Sequence, residues 1–530
     1  MRRWNGWGDE SVAHTLPETA AQFIEQRVGA GVPTRDVALA AVLAAAPPSR
    51  LPAHPLVSRE AAVRVLHARG QSLPDWVALR SGRLGRLPDG VAFPRSPEEV
   101  RELLRYGAEI GARIIPYGGG TSVAGHLTPP PGDAPVLTVS MARLSGLLRF
   151  DPTSRLATFG AGVAGPDLEA LLRARGYTLG HFPQSFEHST LGGWIATRSS
   201  GQQSLGYGRI EQLFAGGRLE SPAGPLELPC FPASAAGPDL RELVLGSEGR
   251  LGLITEATVR VTPLPEREQA LGLFFPDWER ALAASRALAQ SGLPLTMLRL
   301  STPIETATTL ALAGHARAIA ALERLLALRG AGPGKCLLLI ALAGAPAQIA
   351  AARRAALHLA ASDGGINTGR TFGGQWMKNR FRTPYLRNTL WERGYAVDTV
   401  ETATGWSRVP GMVDALQTAL GDALTGQDER VHVFTHLSHQ YTSGSSIYTT
   451  YLFRLSPDPD ETLRRWQLLK SAASRTIVAH GGTISHQHGV GTDHAPYLAA
   501  EKGQLGLAAI RSLCALFDPN GMMNPGKLVE

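Results

Sequence analysis

The sequence predicts an α+β protein of several units: a region of short strands and glycine loops, a following unit of strands and helices, and a helical segment ahead of both. Three observations carry this. The chain has 530 residues, whereas one domain usually holds roughly 100–200. It is 44% hydrophobic and 18% charged, which excludes general disorder and a coiled coil. Its 59 glycines and 37 prolines follow no collagen period, so they mark many turns between short elements.

Residues 1–88 read as helical and loop-rich, with apolar residues at helical spacing in Ala20 to Val28 and Arg59 to Arg69. Val91-Ala92-Phe93-Pro94 is a short strand. Ser96-Pro97-Glu98-Glu99 then opens a helix running to about Gly111, with serine at the N-cap, proline at the first position and glutamate three after the serine. Ile114-Ile115-Pro116 is a strand that enters a glycine-rich loop. Short strands follow at Pro135 to Ser140, Leu156 to Phe159 and Thr255 to Thr262. Over 270–350, strands alternate with Ala/Leu-rich helices, the pattern of an α/β sheet with helices on one face. The apolar stretch Cys336 to Ala352 is interrupted by Gly344 and Pro346. It is too broken to span a bilayer and reads as a strand, Leu337 to Leu342, followed by a helix start. Residues 430–456 are strand-rich, and Glu461 to Gly481 is a long helix.

The net charge of +7 comes from arginines scattered among acids, with no basic run interleaved with aromatics. This argues against nucleic acid as a partner and leaves room for an anionic ligand. Cys230, Cys336 and Cys514 lie far apart and form no CxxC, so no disulfide framework is expected and the compartment should be reducing and cytoplasmic. No apolar signal region follows MRRWNGWGDE, which agrees.

Chemistry concentrates in a few loops. In Pro116-Tyr117-Gly118-Gly119-Gly120-Thr121-Ser122, three glycines after a strand let successive N–H groups point inward, forming a nest for a pyrophosphate. Alone, an ordinary tight turn explains the run equally well. No GK[ST] follows, and no helix starts there, so it is neither a Walker A loop nor a nicotinamide fingerprint. Three more stretches share its character: Gln184 to Trp194, Thr197 to Gly201, and Gly246 to Glu256. Near the C-terminus, His486 and His488 stand two apart, which on an extended segment puts them on one face. A metal pair would need further ligands. His436 and His439 are available but no carboxylate accompanies them, so no metal is expected. Tyr448 taken alone is a strand tyrosine, and any single arginine is best read as a surface residue.

The order of these loops resembles the FAD-binding domain of the vanillyl-alcohol oxidase and p-cresol methylhydroxylase superfamily. More narrowly, the chain is similar to the alkyldihydroxyacetonephosphate synthases. The similarity rests on Trp4-Asn5-Gly6-Trp7-Gly8, Gly180-His181, Gly192-Gly193-Trp194-Ile195, Tyr207-Gly208-Arg209-Ile210-Glu211, Ser485 to Gly491 and Asp518-Pro519-Asn520. It implies a two-lobed p-cresol methylhydroxylase-type FAD domain over 89–266, an α/β cap over 267–500 and a return to the FAD domain over 501–530, behind the N-terminal segment 1–88. FAD would be held by Pro116, Tyr117, Gly118, Gly119, Gly120, Thr121, Ser122, Gln184, Ser185, Glu187, Ser189, Thr190, Thr197, Arg198, Ser199, Ser200, Glu248, Gly249, Leu251, Gly252 and Ile254. Binding would be non-covalent, because Thr121-Ser122 follows the glycines where covalent members carry a histidine, although His126 is near.

The resemblance also implies roles. Tyr448 would be an acid/base, and His486 and His488 would match the first and third of three consecutive histidines, with Gln487 departing from the second. Arg387 would hold the anion, with Arg299 as a second substrate-side arginine. The implied activity is exchange of acyl for alkyl through a flavin adduct, in ether-lipid biosynthesis. The alternative is FAD-dependent oxidation of a 2-hydroxy acid of the D-lactate or glycolate type. Gln487 and the ending Asn524-Pro525-Gly526-Lys527-Leu528 favour that alternative. Either substrate is a small phosphate or carboxylate anion, and the first is lipid-like. Peripheral membrane contact and a homodimer are compatible with the first.

Overall fold

The short runs bounded by glycine and proline pair into two small sheets in the computed structural model, which describes residues 2–529. In the first, β1 (Val57–Ser58), β2 (Gly90–Ala92), β3 (Arg113–Tyr117) and β4 (Val136–Ser140) take the order β1-β2-β4-β3, with β4 parallel to β2 and β3. The helix Pro97–Glu109 buries Val100, Leu103 and Leu104, and the Ser96 hydroxyl caps it by accepting from the Glu99 amide at 3.3 Å. The chain therefore leaves β3 at Tyr117 directly into the three glycines.

The second sheet begins with β5 (Leu147–Asp151) and β6 (Leu156–Gly160). After a short strand β7 (Tyr177–Thr178) come β8 (Phe214–Ser221), β9 (Gly224–Leu228) and β10 (Leu253–Arg260). Its order is β5-β6-β10-β8-β9, all antiparallel, and β11 (Thr262–Pro263) pairs aside with β7.

The remaining strands are β12 (Arg267–Phe275), β13 (Leu295–Ser301), β14 (Cys336–Gly344), β15 (Ile366–Asn367), β16 (Tyr395–Gly405), β17 (His432–Leu437) and β18 (Gly444–Arg454). They form one seven-stranded sheet, β15-β12-β14-β13-β17-β18-β16, in which every pairing is antiparallel. Helices cover both faces rather than the single face expected. Leu338, Ile340 and Leu342 share a core with the helices Trp278–Gln290 and Pro346–Ser362. Leu337, Leu339 and Ala341 pack under Pro303–Leu312, Ala316–Leu328 and Thr371–Asn379. The signal was the unbroken apolar run in β14: a strand covered on one side alternates, and a strand covered on both does not.

Both chain ends reach the first lobe or its glycine loop. The Arg2 guanidinium donates to the Gly119 carbonyl at 2.6 Å, and the Trp7 amide and carbonyl exchange 3.0 Å bonds with the Asn388 side chain. The WNGWG string is thus a strap between the glycine loop and the helix Thr383–Glu392. At the other end, the Asn524 amide donates to Ile114 in β3 at 2.8 Å, and Arg250 donates to the Met523 carbonyl at 3.0 Å. Among the described residues no helix is long and apolar enough to cross a membrane, and the three cysteines are free.

Candidate active site

A cavity of about 680 Å³ lies between the two lobes and the seven-stranded sheet. Residues 116–122 line it, together with Gln184, Ser185, Ser189, Thr190, Thr197, Ser199, Ser200, Glu248, Gly249, Gly252 and Ile254. Three residues expected among them stand elsewhere. Leu251 is 2% exposed within the apolar core. Arg198 ends the helix Leu191–Thr197 in a left-handed conformation and turns its guanidinium to Glu242. Glu187 lies beside the Tyr385 hydroxyl.

The lining fits a pyrophosphate. Among the described residues, none of the amides from Gly118 to Ser122 donates to a protein acceptor. Five N–H groups in one turn at the end of a strand make an anion nest. A Cβ at Gly119 would collide with the backbone carbonyl of His188 and widen that turn. Gly119→Ala is therefore expected to purify largely without flavin while unfolding as cooperatively as the parent chain. Full visible absorbance per protein in that variant would contradict the nest.

The floor of the cavity follows from strand register. Three cross-strand rows face it: Val397, Leu452 and His432; then Thr399, Thr450 and Phe434; then Glu401, Tyr448 and His436. Period-two alternation puts every second residue of β16, β18 and β17 on this face. The first row and Ile24, Leu312, Ala313 and Leu390 make an apolar arm. Tyr448 and His436 of the last row, with Gln487, His488, Arg299 and Arg387, make the polar end, and Glu401 is buried behind them.

At that end the two histidines of the C-terminal motif take different positions. They lie on an irregular loop rather than an extended strand. His488 lines the cavity, edge-on to Tyr448 with ring centroids 5.9 Å apart, and its Nε2 is 3.7 Å from Glu401. His486 sits behind it. Its Nδ1 is 2.9 Å from Glu401, and its Nε2 is 2.6 Å from both the Arg209 guanidinium and the Tyr441 hydroxyl. A guanidinium can only donate, so Nε2 accepts and the proton rests on Nδ1, facing Glu401. Both nitrogens of His486 are engaged in the protein.

The sequence offered these histidines no carboxylate, yet β16 supplies one. Ligand atoms of Glu401, His439 and His486 lie within 4.8 Å of one another, a spacing a metal could use. The donation from Arg209 works against it, because the protonated Nδ1 has no lone pair to offer. The cluster reads as a hydrogen-bond network.

Burial, with the charges of Glu401 and Asp398 added, raises the Tyr448 pKa far above that of a free phenol, against the hydrogen bond to the Thr399 side chain and the weaker pull of Arg387. Tyr448 is a neutral O–H donor at pH 7, not the acidified phenol that nearby cations would have made. Arg387 lies 4.2 Å above the Trp76 ring and donates through Nη1 to the Gln71 carbonyl at 2.6 Å. Its Nε and Nη2 are buried with no partner among the described residues. Burial lowers its pKa to about 10, which leaves it charged at pH 7. Arg299 also faces the cavity, but Glu305 pairs with it, and its Nη1 donates to the Ser301 hydroxyl at 3.1 Å.

Burial keeps many histidines neutral. The pKa of His181 is pulled down to about 3 and that of His432 to about 4, while His439, His486 and His494 fall well below 6.5. The unfolded chain binds protons near 6.5 and the folded chain does not. Stability is therefore expected to fall as pH drops below 6.5, by about 1.4 kcal/mol per pH unit for each such histidine. Denaturant midpoints at pH 7.5, 6 and 5 would check this, and a flat profile would contradict the burial.

Sequence reasoning did not single out Glu401, Glu305 or Arg209 as site residues, and it placed His436 only among spare metal ligands. Period-two alternation through β17 could have put His436 on the cavity face. Arg209 stood in the motif Tyr207 to Glu211 without a role assigned to it, and nothing local pointed to Glu401 or Glu305.

Residues 88–226 match the family described as FAD binding domain, and residues 264–528 match FAD linked oxidases, C-terminal domain. An alkyldihydroxyacetonephosphate synthase of Dictyostelium discoideum is 32% identical over 474 residues, spanning 88% of this chain and 77% of that protein. A mitochondrial D-lactate dehydrogenase (cytochrome) of Arabidopsis thaliana is more distant, 26% identical over 456 residues, 84% of this chain and 74% of that one. Among solved structures, an alkyldihydroxyacetonephosphate synthase superposes with a TM-score of 0.84 at 27% identity, covering 99% of this chain and 98% of the other. A p-cresol methylhydroxylase does so with a TM-score of 0.65 at 13% identity, covering 89% and 93%, which speaks to the fold alone. The fold is thus of the p-cresol methylhydroxylase type and the cofactor is FAD. The chain belongs to the FAD-linked oxidase family, as an FAD-dependent enzyme that resembles alkyldihydroxyacetonephosphate synthase.

Proposed function

We propose that the protein exchanges the acyl group of an acyl-dihydroxyacetone phosphate for the alkyl group of a long-chain alcohol. The observation that carries this is one cavity joining an unpaired buried cation to an apolar arm. Arg387 presents Nε and Nη2 without partners, a fork matched to phosphate. Ile24, Leu312, Leu390, Val397, Phe434 and Leu452 line the arm. A short 2-hydroxy acid would satisfy the arginine and leave the arm empty, forgoing about 0.8 kcal/mol for each CH₂ that a long chain would bury there.

FAD, when bound in the nest, supplies a ring able to hold or accept electrons from the reacting carbon. The chain supplies the rest. Arg387 anchors the anion, Tyr448 donates a hydrogen bond from a neutral phenol, and His488 offers a neutral imidazole at the polar end. Non-covalent attachment fits His126, whose Nδ1 lies 2.6 Å from the Ser122 hydroxyl and whose Nε2 is 3.1 Å from Glu248. A cytoplasmic protein touching membranes peripherally fits a lipid-like substrate.

One observation favours the second reading, oxidation of a 2-hydroxy acid: Gln487 lines the cavity, and an amide cannot carry charge or relay a proton as a histidine does. Anaerobic flavin spectra with parallel fatty-acid assay decide between them. Fatty acid should leave acyl-dihydroxyacetone phosphate and alkyl product should form, while D-lactate and glycolate leave the flavin oxidised. Bleaching by a hydroxy acid without exchange would overturn the proposal.

A further inference from the structure

The reaction proposed above releases a proton. The alcohol arrives as R–OH and leaves as an ether oxygen, so some group must take its hydroxyl proton. Tyr448, a neutral phenol with a raised pKa, is a poor acceptor, and His486 has both nitrogens engaged.

His436 has the required form. It ends the His432, Phe434, His436 column of β17, where the apolar arm meets the polar row. Its ring stacks on Tyr448, centroids 4.9 Å apart and planes 19° from parallel. Its Nδ1 lies 3.0 Å from the carboxylate of Glu305, a 3% exposed residue on the helix Pro303–Leu312. The Arg299 Nη2 is 3.1 Å from the same nitrogen and has a second hydrogen beyond the one it gives Glu305, but both carboxylate oxygens lie nearer, at 2.9 and 3.0 Å, and a carboxylate can only accept. The carboxylate therefore draws the proton onto Nδ1. Nε2 has no protein partner among the described residues, and the ring borders the cavity. An imidazole oriented through Nδ1 by a buried carboxylate, with Nε2 open to substrate, is the arrangement of a general base.

We infer that His436, oriented by Glu305, accepts the hydroxyl proton of the entering long-chain alcohol. This rests on the exchange reading. The alcohol oxygen bonds to the glycerone carbon, the fatty carboxylate departs with the pair of the broken C–O bond, and the hydroxyl proton passes to Nε2. Glu305 stabilises the imidazolium until the proton leaves with the products, so the balance is one carboxylate and one proton released. No oxidant is needed. An alkyl tail in the arm brings its hydroxyl to the end of the column, so the same residue favours alcohols long enough to be anchored there.

The groups facing His436 are Arg299 on β13, Glu305 on its helix, Tyr448 on β18, Glu401 on β16 and His439 nearby. Burial and Arg299 lower its pKa, and Glu305 and Glu401 oppose them. The base form is thus present at pH 7, and alkylation should fail only as pH falls below 6.5. Removing the Glu305 charge should move that limb to still lower pH.

The test separates the two halves of the reaction in the FAD-loaded protein. His436→Gln should slow hexadecanol incorporation about 100- to 1,000-fold more than it slows fatty-acid release from acyl-dihydroxyacetone phosphate. Glu305→Gln should shift the acid limb of incorporation downward. Independently of any variant, diethylpyrocarbonate should carbethoxylate His436 in the parent protein, with mass spectrometry showing protection by hexadecanol. A parent protein that releases no fatty acid would overturn both the exchange reading and this role. Release by the parent with parent-like incorporation by His436→Gln would overturn this role alone, as would an unmoved acid limb or a His436 label indifferent to hexadecanol.

Discussion

Tyr448→Phe is expected to lower turnover by about 100- to 10,000-fold while the protein keeps its FAD. The substitution removes one oxygen and leaves the ring. The ring's contacts, stacking on His436 and an edge contact with His488, persist in phenylalanine, so the cross-strand row Glu401, Tyr448, His436 keeps its register. The nest, which lies in a different lobe, is untouched. What is lost is a hydrogen-bond donor aimed into the cavity, where a bound substrate would exclude water. There its worth exceeds that of an exposed hydroxyl, because no solvent molecule replaces it. Steady-state rates and flavin absorbance on the same preparation check both halves of the expectation. A variant with parent-like turnover would leave Tyr448 a packing residue.

Arg387→Lys is expected to raise the apparent KM for the anionic substrate about 10- to 100-fold with a much smaller change in kcat. The charge survives but the geometry does not. The guanidinium reaches Gln71 with one nitrogen, covers Trp76 with its face and keeps two donors free. An ammonium cannot do all three. Losing one charge-assisted bond to the anion costs about 1.5–3 kcal/mol. A split of KM against kcat identifies an anchor, since uniform binding is what the substitution removes. Competition by inorganic phosphate should weaken in parallel. An unchanged KM would mean that the free donors of Arg387 face no ligand.

These two residues show how far local sequence reaches. Tyr448 falls in a run, Ser446 to Tyr451, whose alternation already predicts a strand, and register then places Tyr448, Thr450 and Leu452 on one face. Arg387 is different. On its helix it is one arginine among many, and only the aromatic floor of Trp76 and the carbonyl of Gln71, 316 residues away in sequence, distinguish it. The two histidines of the C-terminal motif divide for the same reason. Their spacing suggested a shared face, but His486 is claimed by Glu401 and Arg209, 85 and 277 residues away.

By itself, then, the sequence determined the elements and the nest. Three glycines after a strand allow inward amides wherever the fold carries them, and capping serines and period-two runs set helices and strands through interactions within a few residues. The tertiary structure alone decided the antiparallel order of the large sheet and the coverage of both its faces. It also decided which histidine meets the cavity, which arginine stays unpaired and which carboxylate orients His436. Those outcomes depend on burial and on partners brought from distant strands. Burial sets protonation, and partners set tautomer and free valence, and neither is written in the spacing of neighbouring residues.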